Sequence, residues 1–193
     1  MTYKQAIKKM CKDVRFLKYE KDFLWVATGH YMVKVRGGFI DDFSKFFGRD
    51  LTKETKTLQA SYTGSGYLQE VENNPMEQIL PKENQMEDFE FLVNTKLLER
   101  TGDKTYSIFH GEIAGFYIGF DDEYLEIIKA LTSEDVCILA KSSTGVATFA
   151  LSRGKAEIVA LLMPVRLGEN EYMVKPPTFI PDVSVPQKEE KAA

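Results

Sequence analysis

Lys4, Lys8, Lys9 and Lys12 crowd the start of the chain, with Arg15 just behind them. At about 100° per residue, Lys4, Lys8, Lys12, Gln5 and Lys9 share one side of a helix, and Ala6, Met10, Tyr3, Ile7 and Cys11 the other. A face of this kind neutralises phosphates without reading bases, which would give sequence-independent, salt-sensitive contact with duplex DNA. The same pattern also suits a merely solvated lysine face, and periodicity leaves both readings open. Asp41-Asp42 and Asp121-Asp122-Glu123 are the carboxylates that a metal-dependent hydrolase or nuclease would use. Both groups stand where a helix begins, and there the positive end of the helix dipole favours acids without any chemistry. His30 and His110 each lack a second ligand at metal spacing, and no GxxxxGK[ST] or strand-linked GxGxxG pattern is present. No catalytic residue, metal site or cofactor is expected, and hence no enzyme.

A chain of 193 residues with 44% hydrophobic and 28% charged side chains is of ordinary globular composition, long enough for one good-sized core or two small ones. The formal net charge of −4 excludes a protein that coats nucleic acid with its whole surface, but not one that gathers cations on a single face. No apolar run approaches the roughly 18 residues of a membrane span, and Met1–Gln5 carries no apolar signal stretch, so a cytoplasmic location is expected. Cys11 and Cys137 are far apart in apolar-periodic segments and read as buried, reduced thiols.

The elements that must position these residues follow from pattern. Tyr3 to Cys11 reads as a helix with Thr2 as N-cap. Val14 to Tyr19, Phe23 to Thr28 and Tyr31 to Arg36 read as strands, rich in β-branched and aromatic residues. A second run has the same order, with a helix from Asp121 to Thr132 and strands at Val136 to Lys141, Val146 to Leu151 and Ala156 to Met163. The two runs share text: Lys12-Asp13-Val14 with Phe16-Leu17 corresponds to Glu134-Asp135-Val136 with Ile138-Leu139, and Ala27-Thr28 to Ala147-Thr148. An internal duplication is therefore inferred. Between the copies, residues 37–99 read as an insertion with little regular structure, apart from a short helix at Phe39 to Phe47 stopped by Gly48. Thr63–Gly66 is a turn and Glu72–Asp88 is polar and acidic. A hairpin at Lys96 to Arg100 and Thr105 to His110 leads into a strand at Phe116 to Phe120. A short strand at Glu171–Lys175 and a mobile tail at Pro176–Ala193 complete the expected organisation: a first unit 1–36, the insertion 37–99, a second unit 100–167 and an appendix 168–193.

The run Leu162-Met163-Pro164-Val165-Arg166-Leu167 resembles the C-terminal signature of the bacterial DNA sliding clamp, the beta subunit of DNA polymerase III. Ile118-Gly119-Phe120, Tyr124-Leu125, Ala130-Leu131 and Asp135-Val136 are similar to the lead-in of the same family. Ala27-Thr28-Gly29-His30-Tyr31-Met32-Val33 resembles a second clamp segment, with one residue missing before the glycine and Tyr31 in place of an arginine. The resemblance implies an α+β protein of the DNA-clamp fold, two βαβββ-like units with helices packed on antiparallel sheet, the first unit lacking its leading strand. It further implies a non-catalytic replication accessory whose Lys4, Lys8, Lys9, Lys12 and Arg15 meet double-stranded DNA. By the same resemblance Thr28, Gly29, His30, Tyr31 and Met32 form one wall of an apolar pocket and Leu162, Met163, Pro164, Val165 and Arg166 the other. Replication proteins carrying clamp-binding peptides would be the partners, and a homo-oligomer is expected. Against a lysine-lined channel stand Asp122, Glu123 and Glu126, opposed only by Lys129 on the second helix. A clamp-fold interaction module that does not bind DNA is the alternative.

Overall fold

The computed structural model describes residues 1–61, 67–72, 78–79, 88–132, 136–151, 157–165 and 167. The expected Thr63–Gly66 turn, most of Glu72–Asp88, Asp135, Arg166, the strand at Glu171–Lys175 and the tail lie outside the described residues. The fold is α+β, with helices packed on antiparallel sheet.

Helix α1 spans Tyr3–Asp13. Its start is set by a capping box: Thr2 Oγ1 accepts from the Gln5 backbone N–H at 3.4 Å, and Gln5 Oε1 accepts from the Thr2 N–H at 3.0 Å. Ala6, Ile7, Met10 and Cys11 are buried. Tyr3, expected on that apolar side, is 43% exposed and leans on the Phe39 ring at 5.6 Å instead. Strands β1 (Phe16–Glu20), β2 (Phe23–Ala27) and β3 (Tyr31–Arg36) follow as a meander. Helix α2 (Gly38–Phe47) ends at Gly48, whose φ of 62° is the left-handed conformation that glycine adopts without strain.

Residues 37–99 are more regular than their composition suggests. A short 3-10 turn at Leu51–Lys53 leads to β4 (Thr57–Ala60) and β5 (Leu68–Val71). Strand β4 pairs with β1, and Leu17 lies opposite Leu58. Strands of four residues carry too little alternation to be recognised alone; burial of Thr57, Leu58 and Ala60 comes from the neighbour, not from local pattern. The expected hairpin strand at Lys96 to Arg100 is also longer, since β6 runs from Glu90 to Thr101 and pairs with β7 (Lys104–Gly111). Strand β8 (Phe116–Asp121), helix α3 (Asp122–Leu131) and strands β9 (Val136–Ala140), β10 (Ala147–Leu151) and β11 (Ile158–Leu162) complete the described elements.

The strands form one antiparallel sheet in the order β5-β4-β1-β2-β3-β11-β10-β9-β6-β7-β8. Its centre is the pairing of β3 with β11, where Val33 faces Ala160, Met32 faces Leu161 and Tyr31 faces Leu162. Outward from that seam run two meanders, β3-β2-β1 and β11-β10-β9, each preceded in the chain by a helix. Both helices cover the same face: α1 through Ile7 and Met10, α3 through Leu125 and Ile128, all in one core with Leu24, Val33 and Leu162. Each such side chain contributes roughly 1.5–3 kcal/mol on burial. Alternation along the strands sends Trp25, Ala27, Met32 and Leu161 to the opposite face, where they form a second apolar cluster.

A buried carboxylate organises the turn between β7 and β8. Glu90 is 8% exposed and accepts from the backbone N–H groups of Ile113 at 2.7 Å and Ala114 at 3.1 Å. Gly111 leaves room for it, because a Cβ there would stand 2.8 Å from Glu90 Cδ and from the Phe116 ring. Gly111→Ala should therefore destabilise the fold by about 1–3 kcal/mol, the usual cost of overpacking. Urea unfolding measures this, and an unchanged midpoint would show that Glu90 and Phe116 yield freely.

Candidate nucleic-acid and partner interface

Because α1 buries Ala6, Ile7, Met10 and Cys11, its lysines point to solvent: Lys4, Lys8, Lys9 and Lys12 are all exposed. Lys4, Lys8 and Lys12 stand four residues apart on one line of the helix. Among the described residues these three form no ion pair. Lys9 is different. Its ammonium donates to Glu123 Oε1 on α3, with both side chains 49% exposed. That hydrogen bond above all, opposed by desolvation and helped by the charges of Glu123 and Glu126, pushes the Lys9 pKa up. The basic face of α1 thus borders the acidic face of α3.

The carboxylates at the head of α3 are engaged in structure. Asp121 caps the helix, accepting from the Glu123 N–H at 3.0 Å and from Lys104 Nζ at 3.1 Å. Asp122 accepts from the Ser107 hydroxyl. On α2, Asp42 lies 4.0 Å from Lys45. Among the described residues no group of three His, Cys, Asp or Glu side chains is arranged to hold a metal ion. Cys11 is buried and Cys137 half-buried, and neither forms a disulfide among the described residues. Burial, with the Asp42 charge adding to it, pushes the Cys11 thiol up to about 12, so it stays protonated at neutral pH.

Arg15 links the two sequence-derived sites. Its exposed guanidinium lies over Gly29, where a Cβ would come within 2.8 Å of Arg15 Nη2. Gly29 belongs to the turn joining β2 and β3, which Thr28 closes. The Thr28 hydroxyl donates to the Tyr31 carbonyl at 3.0 Å and accepts from the N–H groups of His30 at 3.2 Å and Tyr31 at 3.1 Å. The exposed His30 ring stacks on Tyr124 of α3, with centroids 5.3 Å apart and planes 15° apart.

The second run meets this turn directly. Beyond β11 the Met163 N–H donates to the His30 carbonyl at 2.9 Å, and the Val165 N–H donates to the Gly119 carbonyl of β8 at 2.8 Å. Thr28 to Met32 and Leu162 to Val165 are therefore adjacent, but their side chains part company. Tyr31 and Leu162 point into the main core, at 5% and 0% exposure, and Met32 into the cluster on the other face. Met163 stands out at 52% exposure, with Pro164 and Val165 half-buried beside it. Arg166 lies outside the described residues.

On the face that holds Met32, Lys34 Nζ lies 3.9 Å from the Phe23 ring centroid and 2.5 Å from Glu157 Oε1. Arg36 Nη2 reaches the same oxygen at 2.5 Å. The contacts of Tyr124 with His30, of Glu123 with Lys9 and of Glu157 with Lys34 are not legible in the sequence, because each joins residues more than ninety positions apart and no local spacing announces it.

No protein-family model matches the chain, and no curated protein matches it. Among solved structures it is similar to the DNA polymerase III beta subunit of Thermotoga maritima, at 10% sequence identity and a TM-score of 0.41, over 86% of this chain. The chain spans 60% of the length of that subunit. Among the described residues no helix is long and apolar enough to cross a membrane.

The hydrogen bond from Lys34 above all, opposed by desolvation and helped by the Lys34 and Arg36 charges and the Arg36 hydrogen bond, holds the Glu157 carboxyl below its ordinary range. A depressed folded-state pKa means that the stabilisation is complete above the unfolded value, about 4.3, and is lost as pH falls through the folded one. Carboxyl NMR titration should find Glu157 below that value, and Lys34→Met should move it upward. A Glu157 titration that ignores the Lys34 substitution would show that the pair has no energetic coupling.

Proposed function

We propose that this chain is a non-catalytic, clamp-like accessory of DNA replication that contacts duplex DNA through α1 and partner proteins through the junction of the β2–β3 turn with the end of β11. The observation that carries this reading is the exposed line of Lys4, Lys8 and Lys12 on a helix that lies beside a second helix across one face of an antiparallel sheet built around two meanders. Lysines on such a line meet phosphates as point charges and make no bidentate base contact, so the protein is held near DNA without being pinned at a sequence. Arg15 extends the positive strip to the turn at Gly29, and Lys9 stands at its border with α3.

At the partner junction, Met163 with Pro164 and Val165 supplies a deformable apolar surface beside His30, suited to short peptides of several sequences. Replication proteins with apolar clamp-binding peptides are the proposed partners, with Met32 adding apolar surface on the face it shares with Leu161 and Leu162 anchoring the strand in the main core. A homo-oligomer, in which the helix pairs of several copies would line one DNA-facing surface, belongs to the proposal. The acidic α3 beside α1 favours one competing reading, a clamp-fold interaction module that binds proteins and not DNA.

Duplex binding separates the two. Anisotropy of a labelled DNA of about 30 base pairs should report weak binding at 50 mM salt that falls steeply by 200 mM, and Lys4→Glu, Lys8→Glu and Lys12→Glu together should abolish it. Equal binding by the triple variant and the wild type would make the lysines a solvated face and leave the interaction module as the better reading.

A further inference from the structure

We propose that Glu123 and Glu126 of α3 act as built-in phosphate surrogates, Glu123 occupying Lys9 while Glu126, 3.7 Å from the Met1 ammonium, adds its charge beside it, and so hold the DNA contact of α1 below the strength its lysines would otherwise give. This rests on the reading of α1 as the DNA face. The Lys9 ammonium already donates to a Glu123 carboxylate oxygen, an acceptor of the same kind and charge as a phosphodiester oxygen. Both side chains are half exposed, and an ion pair so placed contributes only about 0.2–1 kcal/mol, so it opens without disturbing the fold. The helices are held together by Ile7, Met10, Leu125 and Ile128 beneath the pair, not by the pair itself.

Phosphate gains little by taking Lys9 from Glu123, because the freed carboxylate would then face the duplex beside the exposed Glu126. Lys9 consequently releases no counterion, and the lysines that do so are those without a carboxylate, Lys4, Lys8 and Lys12. The result is a salt dependence less steep than four unpaired lysines would give, and a quicker release, properties suited to a protein that must move along DNA.

Glu123→Gln with Glu126→Gln removes the surrogate charges while keeping the side-chain shapes. In the anisotropy assay the double variant should bind about threefold or more tightly at 50 mM salt, and its log K against log salt plot should steepen by about 0.9, one additional phosphate contact. Adding Lys9→Met to that double variant should return the slope to the wild-type value, an effect that a general change in helix stability would not produce. An unchanged slope in the double variant, with the triple lysine variant still inactive, would overturn this inference and leave the DNA reading standing. No duplex binding by either the wild type or the double variant would overturn both.

Discussion

The pairing of Tyr31, Met32 and Val33 with Leu162, Leu161 and Ala160 is the contact on which the rest of the molecule depends. It joins two meanders from opposite ends of the described chain, and only because they are joined do α1 and α3 share one face of one sheet. Its register is strongly specified. Tyr31 and Leu162 face the helices while Met32 and Leu161 face away, so a slip of one residue would exchange the two sets and leave both apolar clusters incomplete. The separation of the strands in sequence is a smaller obstacle than it looks, since loop-closure entropy grows only with the logarithm of length. The separation bears more on rate, because contacts so far apart in sequence form slowly.

Packing and charge play different parts at the helix pair. The buried side chains of α1 and α3 set where the helices lie, and the exposed residues set what that surface attracts. Each helix is locally sensible: α3 begins with Asp122 and Glu123 and ends with Lys129, while α1 has Lys12 in its last turn, as the helix dipole favours. Brought side by side, these locally favourable choices place cations against carboxylates, and Lys9 closes on Glu123. The charge seen by a nucleic acid is therefore a property of the helix pair and not of either helix.

The segment after β11 couples the seam to the far end of the sheet. Met163 bonds to the His30 turn, Val165 to β8, and the Leu167 side chain rests where a Cβ on Gly119 would stand only 2.6 Å from Leu167 Cδ2. Gly119 thus provides a notch that any larger residue would fill. The same segment occupies backbone groups on the outer edge of β8, which an uncovered strand would offer to another chain. The residues proposed to meet partner proteins are in this way also the tie between β11 and β8, and Tyr124 beneath His30 brings α3 into the same junction.

Local sequence determined much of this: α1 and its Thr2 cap, the β1–β2–β3 meander, the stop of α2 at Gly48, α3 with its acidic first turn, and the helix-then-meander order that occurs in both halves. Each is encoded in a periodicity of 3.6 or 2 or in a capping residue, and such signals act over a few positions. The strands β4 and β5 were not legible, because four residues gain their burial from β1 and not from one another. Nor was the division of the proposed partner walls between two faces, since the parity of Tyr31 against Leu162 is set by register across the seam. The lysine face itself was written in the spacing of Lys4, Lys8 and Lys12. The loss of Lys9 to Glu123 was decided only by tertiary structure, because charges interact through distance in space, and the core alone determines which helices become neighbours.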